Sequence, residues 1–268
     1  MLCIIIIMKN AVIYMKKFII AVIVFIVVAL IVTIPILKSK GLLFESGNGD
    51  EYSVEKTDVF ENSPIKGKTV IFLGSSVTYG SASKGESFAD FLMKKDGIIA
   101  IKEAVSGTTL VDEDDSSYIS RMKKLDKNLK PDIFICQLST NDATKKKELG
   151  SVGESFEIDG FDTKTVAGAI EYIIAYVGEV YDCPVVFYTG TKYDSEQYGK
   201  MVELLHEISE KWGTDVIDLW NDDEMNAVSQ EDYDVYMANG IHPTRAGYRD
   251  WWLPKFESYL YSFFETEK

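Results

Sequence analysis

Two residue types that build many active sites are scarce in this 268-residue chain, which has three cysteines and two histidines. So few cysteines do not make a disulfide framework or a zinc site, and Cys136 and Cys183, in or beside apolar runs, read as buried free thiols. A catalytic metal would need more histidines or a clearer carboxylate cluster, so none is expected. Basic charge is short too: 28 Lys and Arg stand against 42 Asp and Glu. The first forty residues hold five lysines and no acid, which leaves 23 basic and 42 acidic residues beyond them, net −19. That balance argues against nucleic-acid binding and suits a soluble domain that stays off anionic surfaces. Gly-x-Ser-x-Gly, Walker A and Gly-x-Gly-x-x-Gly sequences are absent, so an α/β-hydrolase elbow and the usual nucleotide loops are missing, and no cofactor is expected.

What is present begins with a long apolar run. Phe18 to Leu37 is interrupted only by Thr33 and Pro35 and flanked by Lys16, Lys17, Lys38 and Lys40. As a helix it would be about 30 Å long, enough to cross a bilayer's hydrocarbon core. It shows no polar face, as a core helix would, and it exceeds the usual signal-peptide apolar region with no small-x-small site after it. An uncleaved single-pass anchor fits best, the alternative being secretion after cleavage. No lipobox-like cysteine follows. A lone N-terminal span usually leaves the large domain outside, so that domain is expected to be extracytoplasmic at the cell membrane. Met15-Lys16-Lys17 looks like a natural start, so residues 1–14 read as an over-extended gene start or a second short apolar patch.

Residues 1–40 are thus read as the anchor (helix about 18–37), 41–65 as a linker rich in Gly, Ser, Asp, Glu and Asn, and 66–268 as one domain. Within that domain, apolar runs at 69–73, 98–104, 132–138, 184–188 and 215–218 predict strands. Helical spacing predicts helices at 87–95, 117–128, 163–181, 195–212 and about 245–264. Strand and helix alternating about five times imply an α/β fold with a parallel sheet covered on both faces.

Ligand sites in such sheets lie at the carboxyl ends of strands. After the first strand comes Gly74-Ser75-Ser76, which presents a serine with nothing bulky around it; after the second, Val105-Ser106-Gly107-Thr108-Thr109; after the third, Ser139-Thr140-Asn141-Asp142. Asn239-Gly240-Ile241-His242-Pro243 precedes the last helix. Ester hydrolysis needs groups of these kinds. A serine hydroxyl is a weak nucleophile until a base such as histidine takes its proton. The tetrahedral oxyanion needs fixed donors, available from the Ser76 and Gly107 N–H groups and the Asn141 amide. Taken singly each has a plain reading: Gly107 as a turn glycine, Asn141 as a helix N-cap, His206 as a mid-helix residue. His242, in a loop before proline, is the better base.

In order and spacing these blocks resemble the SGNH, or GDSL, hydrolase family, marked by Gly-Asp-Ser, a glycine, Gly-x-Asn-Asp and Asp-x-x-His. The resemblance spans the whole predicted domain. It implies a three-layer α/β/α, flavodoxin-like fold and serine-dependent ester hydrolysis, with Ser76 as nucleophile, His242 as base, and Ser76, Gly107 and Asn141 as the oxyanion hole. Three positions depart from the family pattern. Ser75 replaces an Asp that is not the triad acid. Ser139 replaces a Gly, which would tighten the pocket. Asn239 replaces the Asp that orients the histidine. An asparagine can accept from Nδ1 through its oxygen but has no charge, and it can also turn its NH₂ inward. Asp234 is a nearby acid that could substitute in space.

Candidate substrate contacts are Thr78, Tyr79, Thr108, Thr109, Tyr188, Thr189 and Thr191, each of which could instead make local turn hydrogen bonds. The favoured activity is a membrane-tethered carboxylic ester hydrolase acting on a small-molecule or polysaccharide ester, such as a carbohydrate O-acetyl group. The alternatives are a lysophospholipase or thioesterase, an acyltransferase, and a non-catalytic polysaccharide-binding protein that lost its triad acid.

Overall fold

The computed structural model describes residues 2–39 and 46–266, and divides into two compact units, Met1–Phe44 and Glu45–Lys268. The first contains one helix, α1 (Leu2–Ser39). Its stretch Met15–Thr33 is long and apolar enough to be a candidate membrane span, and its large side chains there are exposed.

The second unit is a five-stranded parallel sheet: β1 (Thr69–Gly74), β2 (Ile99–Ala104), β3 (Ile133–Gln137), β4 (Val185–Tyr188) and β5 (Asp215–Ile217), in the order β2-β1-β3-β4-β5. Period-2 side-chain alternation sends successive strand residues to opposite faces, and both faces are covered. Ile71, Leu73, Phe134 and Cys136 pack with α4 (Tyr118–Met122), α6 (Val166–Tyr181) and α7 (Glu196–Trp212). Val70, Phe72, Ile133 and Ile135 pack under α3 (Phe88–Asp96) and α10 (Leu253–Thr266). Four short helices complete the unit: α2 (Ser76–Tyr79), α5 (Thr140–Thr144), α8 (Asp223–Asn226) and α9 (Gln230–Tyr236). The chain leaves β1 for β2 on one side and returns to β3 on the other. That reversal opens a crevice at the carboxyl ends of β1 and β3, where Ser76 begins α2 and Asn141 lies in the first turn of α5.

Three expectations change. The helix predicted at 117–128 stops at Met122: the N–H groups of Lys124 and Leu125 bond the carbonyls only three residues back, of Arg121 and Met122. Further on, the Asp126 carboxylate turns the chain by accepting from the N–H of Asn128. The last helix begins as a π-helical turn, Gly247–Trp252: Pro254 has no N–H for the carbonyl of residue 250, and the Leu253 N–H bonds Tyr248 instead. The segment read as a linker lies partly outside the described residues (40–45), but from 46 it is folded into the second unit. Short 3-10 turns at Ser46–Asn48, Asp50–Tyr52 and Val54–Lys56 form a strap, and Ile65 is fully buried. At Gly47 a Cβ would lie 1.9 Å from the carbonyl oxygen of Val235, so only glycine permits this approach.

Candidate active site

Ser76 is the first residue of α2, directly after β1. Buried Gln137, at the end of β3, holds this turn: its Oε1 accepts from the Ser75 N–H (2.9 Å) and the Thr78 hydroxyl (2.8 Å). From the π-helical turn, the Tyr248 hydroxyl donates to the carbonyl of Val77 at 2.6 Å. His242 reaches the serine from a loop closed by the antiparallel bridge Met237–Pro243. Its Nε2 lies 2.8 Å from Ser76 Oγ and its Nδ1 lies 3.0 Å from Asn239 Oδ1.

The orientation of the Asn239 amide follows from its other partners. Oδ1 also accepts from the backbone N–H groups of Ile241 (3.0 Å) and His242 (3.1 Å). Turning the NH₂ inward would set donors against both, so the oxygen faces the ring. An oxygen there requires the proton on Nδ1, which leaves the Nε2 lone pair to accept from the Ser76 hydroxyl. Burial holds the imidazole below its ordinary pKa, so the ring is neutral at pH 7.

Gly107 has φ +84°, a left-handed conformation, with nothing within 4 Å of where a Cβ would stand. Asn141 donates one amide hydrogen to the carbonyl of Thr108 at 2.9 Å. Asp142 accepts from the N–H groups of Leu110 (2.8 Å) and Val111 (3.1 Å), and burial pushes its carboxyl up from the ordinary value. Ser139 sits at the N-cap of α5, accepting from the Asp142 N–H, and is fully buried.

The structure thus brings together Ser76, His242 and Asn239, and sets Gly107 and Asn141 side by side through Thr108. Four expected substrate contacts are instead internal. Thr78 and Tyr188 are fully buried and bonded to each other at 2.7 Å. Thr108 bonds the Val105 carbonyl and Arg121, while Thr189 bonds Asp218 and the Trp220 N–H. Their hydroxyls serve the loops because those loops bury backbone groups that need partners. Tyr79 alone of these is on the surface. Asp234 pairs with Gln230 on α9, and His206 with Asp218 at 2.7 Å, so neither joins the site. Among the described residues no cluster of His, Cys, Asp and Glu could hold a metal ion.

Sequence reasoning missed Arg121. Buried on α4, it donates to the carbonyls of Gly74 (2.8 Å), Glu103 (3.0 Å) and Ser116 (2.9 Å), to Thr108 Oγ1 (3.1 Å) and to the Glu103 carboxylate (2.9 Å). It ties the end of β1 to the Gly107 loop. Nothing in its sequence setting distinguishes it from a surface arginine of a helix. Also missed was an open cleft of about 850 Å³ beside the His242 loop, between Ala143 and Thr144 of α5, Tyr193 to Gln197 at the start of α7, and Asn239 to Ile241.

Residues 72–249, more than half of the chain, match the GDSL-like Lipase/Acylhydrolase family. Solved structures with a similar fold include a protein from Lactobacillus plantarum (TM-score 0.62, 18% identity, covering 74% of this chain and 98% of that one). Another, described as a GDSL-like lipase, is from Bacteroides ovatus (TM-score 0.54, 19% identity, 73% and 98%). A third is the acetyl xylan esterase AlAXEase (TM-score 0.51, 17% identity, 72% and 99%). A comparison with curated proteins returns no match.

Proposed function

The chain belongs to the GDSL-like lipase/acylhydrolase family and is a carboxylic ester hydrolase; on that premise we propose that it works through an acyl-enzyme on Ser76, with His242 as general base. The observation that carries this reading is the contact of Ser76 Oγ with His242 Nε2 at 2.8 Å, with the far ring nitrogen on the amide oxygen of Asn239. Ser76 Oγ attacks the ester carbonyl as its proton passes to Nε2. The oxyanion is received by the Ser76 and Gly107 N–H groups and the second amide hydrogen of Asn141. Collapse breaks the C–O bond to the alcohol, which leaves with the proton from Nε2. Water, deprotonated by Nε2, then attacks the acyl-serine; the acid departs and Ser76 recovers its proton.

We further propose a short acyl group, such as acetyl, on a polar alcohol of the carbohydrate class. The cleft beside the His242 loop supports this, being open and setting Thr144, Lys146, Asp194, Ser195, Gln197 and Lys200 among the apolar Ala143, Tyr193 and Ile241. A long acyl chain would call for enclosed apolar walls. An acetyl xylan esterase shares the fold. Hydrolysis of p-nitrophenyl acetate, butyrate and longer esters by the full chain in detergent tests both parts. Acetate should be preferred, and Ser76→Ala should lose at least about 10³-fold in kcat. Preference for long chains would refute the substrate class, and an active Ser76→Ala would refute the nucleophile. Absence of Ser76 labelling by a fluorophosphonate at any pH would favour a polysaccharide-binding role instead.

The apolar helix is proposed as an uncleaved anchor and the catalytic domain as extracytoplasmic. The 19-residue stretch Met15–Thr33, about 28 Å as a helix, supports spanning. Protease added to intact cells should digest the domain; a domain protected until the cells are lysed would reverse the topology.

A further inference from the structure

The strap that follows the apolar helix fastens to both sides of the Ser76–His242 contact. On the nucleophile side, the loop after α2 hangs from Ser76 itself, because the N–H groups of Gly80 and Ser81 both donate to the Ser76 carbonyl at 3.0 Å. On the histidine side, Thr244 and Arg245 follow His242 directly and lead into the π-helical turn. Asn48 bridges the two with one side chain. Its Nδ2 donates to the carbonyl of Ala82 at 2.8 Å, and its Oδ1 accepts from the Arg245 N–H at 3.0 Å.

A second bridge runs in parallel. The Glu86 carboxylate accepts from the Val54 N–H of the strap (3.0 Å) through one oxygen and from the Arg245 guanidinium (2.6 Å) through the other. Further along, Arg249 donates to the carbonyl of Glu51 at 2.6 Å and lies over the ring of Tyr52. Catalytic groups must be held within a fraction of an ångström, since a displacement of about 1 Å costs on the order of 10²-fold in rate. The serine and histidine come from opposite ends of the domain sequence, and His242 lies in a partly exposed loop, so their separation needs an external brace.

We propose that Asn48 is a positioning residue for ester hydrolysis: it spans the nucleophile loop and the histidine loop and fixes the Ser76–His242 distance. This rests on the serine–histidine reading above. A merely structural role would reduce the amount of competent enzyme without changing the turnover of each competent site. The test is therefore hydrolysis of p-nitrophenyl acetate by the full chain in detergent, with kcat expressed per serine labelled by a fluorophosphonate.

Asn48→Ala should lower kcat per labelled site about 10-fold, with KM within about twofold of the parent. Asn48→Asp, which keeps the acceptor for Arg245 and loses the donor to Ala82, should fall between. Glu86→Gln retains an acceptor for Val54 and loses the charge-assisted bond to Arg245. It should show the same loss confined to kcat, and it serves if Asn48→Ala does not fold. Unchanged kcat per labelled site in Asn48→Ala, or in Glu86→Gln where Asn48→Ala is unfolded, would overturn the proposal. An active Ser76→Ala chain would instead overturn the serine reading, and the brace would fall with it.

Discussion

Asn239 concentrates the chemistry of the site in one side chain. In serine proteases the comparable Asp→Asn change costs about 10⁴-fold in kcat because the amide selects the wrong imidazole tautomer. Here that penalty does not arise, since the N–H groups of Ile241 and His242 fix the oxygen toward Nδ1. On the proposed mechanism, what asparagine withholds is charge: no carboxylate would stabilise the imidazolium formed as Ser76 is deprotonated. Asn239→Asp should then raise kcat by about 10-fold, a share of what a full triad acid supplies. It should also move the pH profile. Burial holds His242 below its ordinary pKa, so the base is still neutral somewhat below pH 6.5, and the acid limb of kcat/KM lies low. A carboxylate at 239 favours the protonated ring, raises that pKa and shifts the acid limb to higher pH. A fall in kcat, with the limb unmoved, would show that the loop is built around the amide.

At the scale of elements, legibility followed the strength of local signals. The central strands β1, β3 and β4 were readable because each is a nearly unbroken apolar run, a pattern that burial on both faces enforces. The part-exposed edge strands β2 and β5, with Lys102, Glu103 and Asp215, carry a weaker apolar signal. The long helices α6 and α7 were readable from periodicity alone; the structure adds their N-caps, Thr165 and Ser195, which accept from Gly168 and Tyr198. The short helices α2 and α5 were not, because four or five residues show no period; they are held by Gln137 and Asp142, contacts distant in sequence. The same distinction divides the site. Ser76, Gly107, Asn141 and His242 stood out by residue type at strand ends. Arg121, Gln137 and Tyr248 act through tertiary geometry that no spacing encodes. The hydroxyl residues misled for a related reason: a threonine at a strand end looks alike whether it faces a ligand or, like Thr189, a neighbouring loop. The strap was misread because polar composition describes a linker and a surface-docked segment equally well.

At the scale of the whole domain, stability under the conditions where the site works depends on how α10 closes over α3. Glu257 of α10 meets Lys95 at 2.7 Å and lies beside Asp96, whose carboxylate accepts from Ser63 (2.7 Å) and Tyr261 (2.5 Å). Burial, with Asp96 adding to it, pushes the Glu257 carboxyl up to about 7. Between its ordinary value of 4.5 and about 7, the folded domain therefore keeps a proton that the unfolded chain releases. Unfolding sheds that proton, so stability falls as pH rises through this window and levels off above it. Glu257→Gln removes the titration while keeping the shape. The attraction to Lys95 goes with it, but that attraction acts only on the ionised carboxylate and is already contained in the value of about 7. Thermal unfolding of both full-length proteins at pH 5, 6, 7 and 8 reads the difference. The parent's Tm should decline relative to the variant's from pH 5 to about 7 and then run parallel to it. A difference that stays constant across the series would mean that Glu257 is ionised throughout, with Lys95 outweighing burial and Asp96.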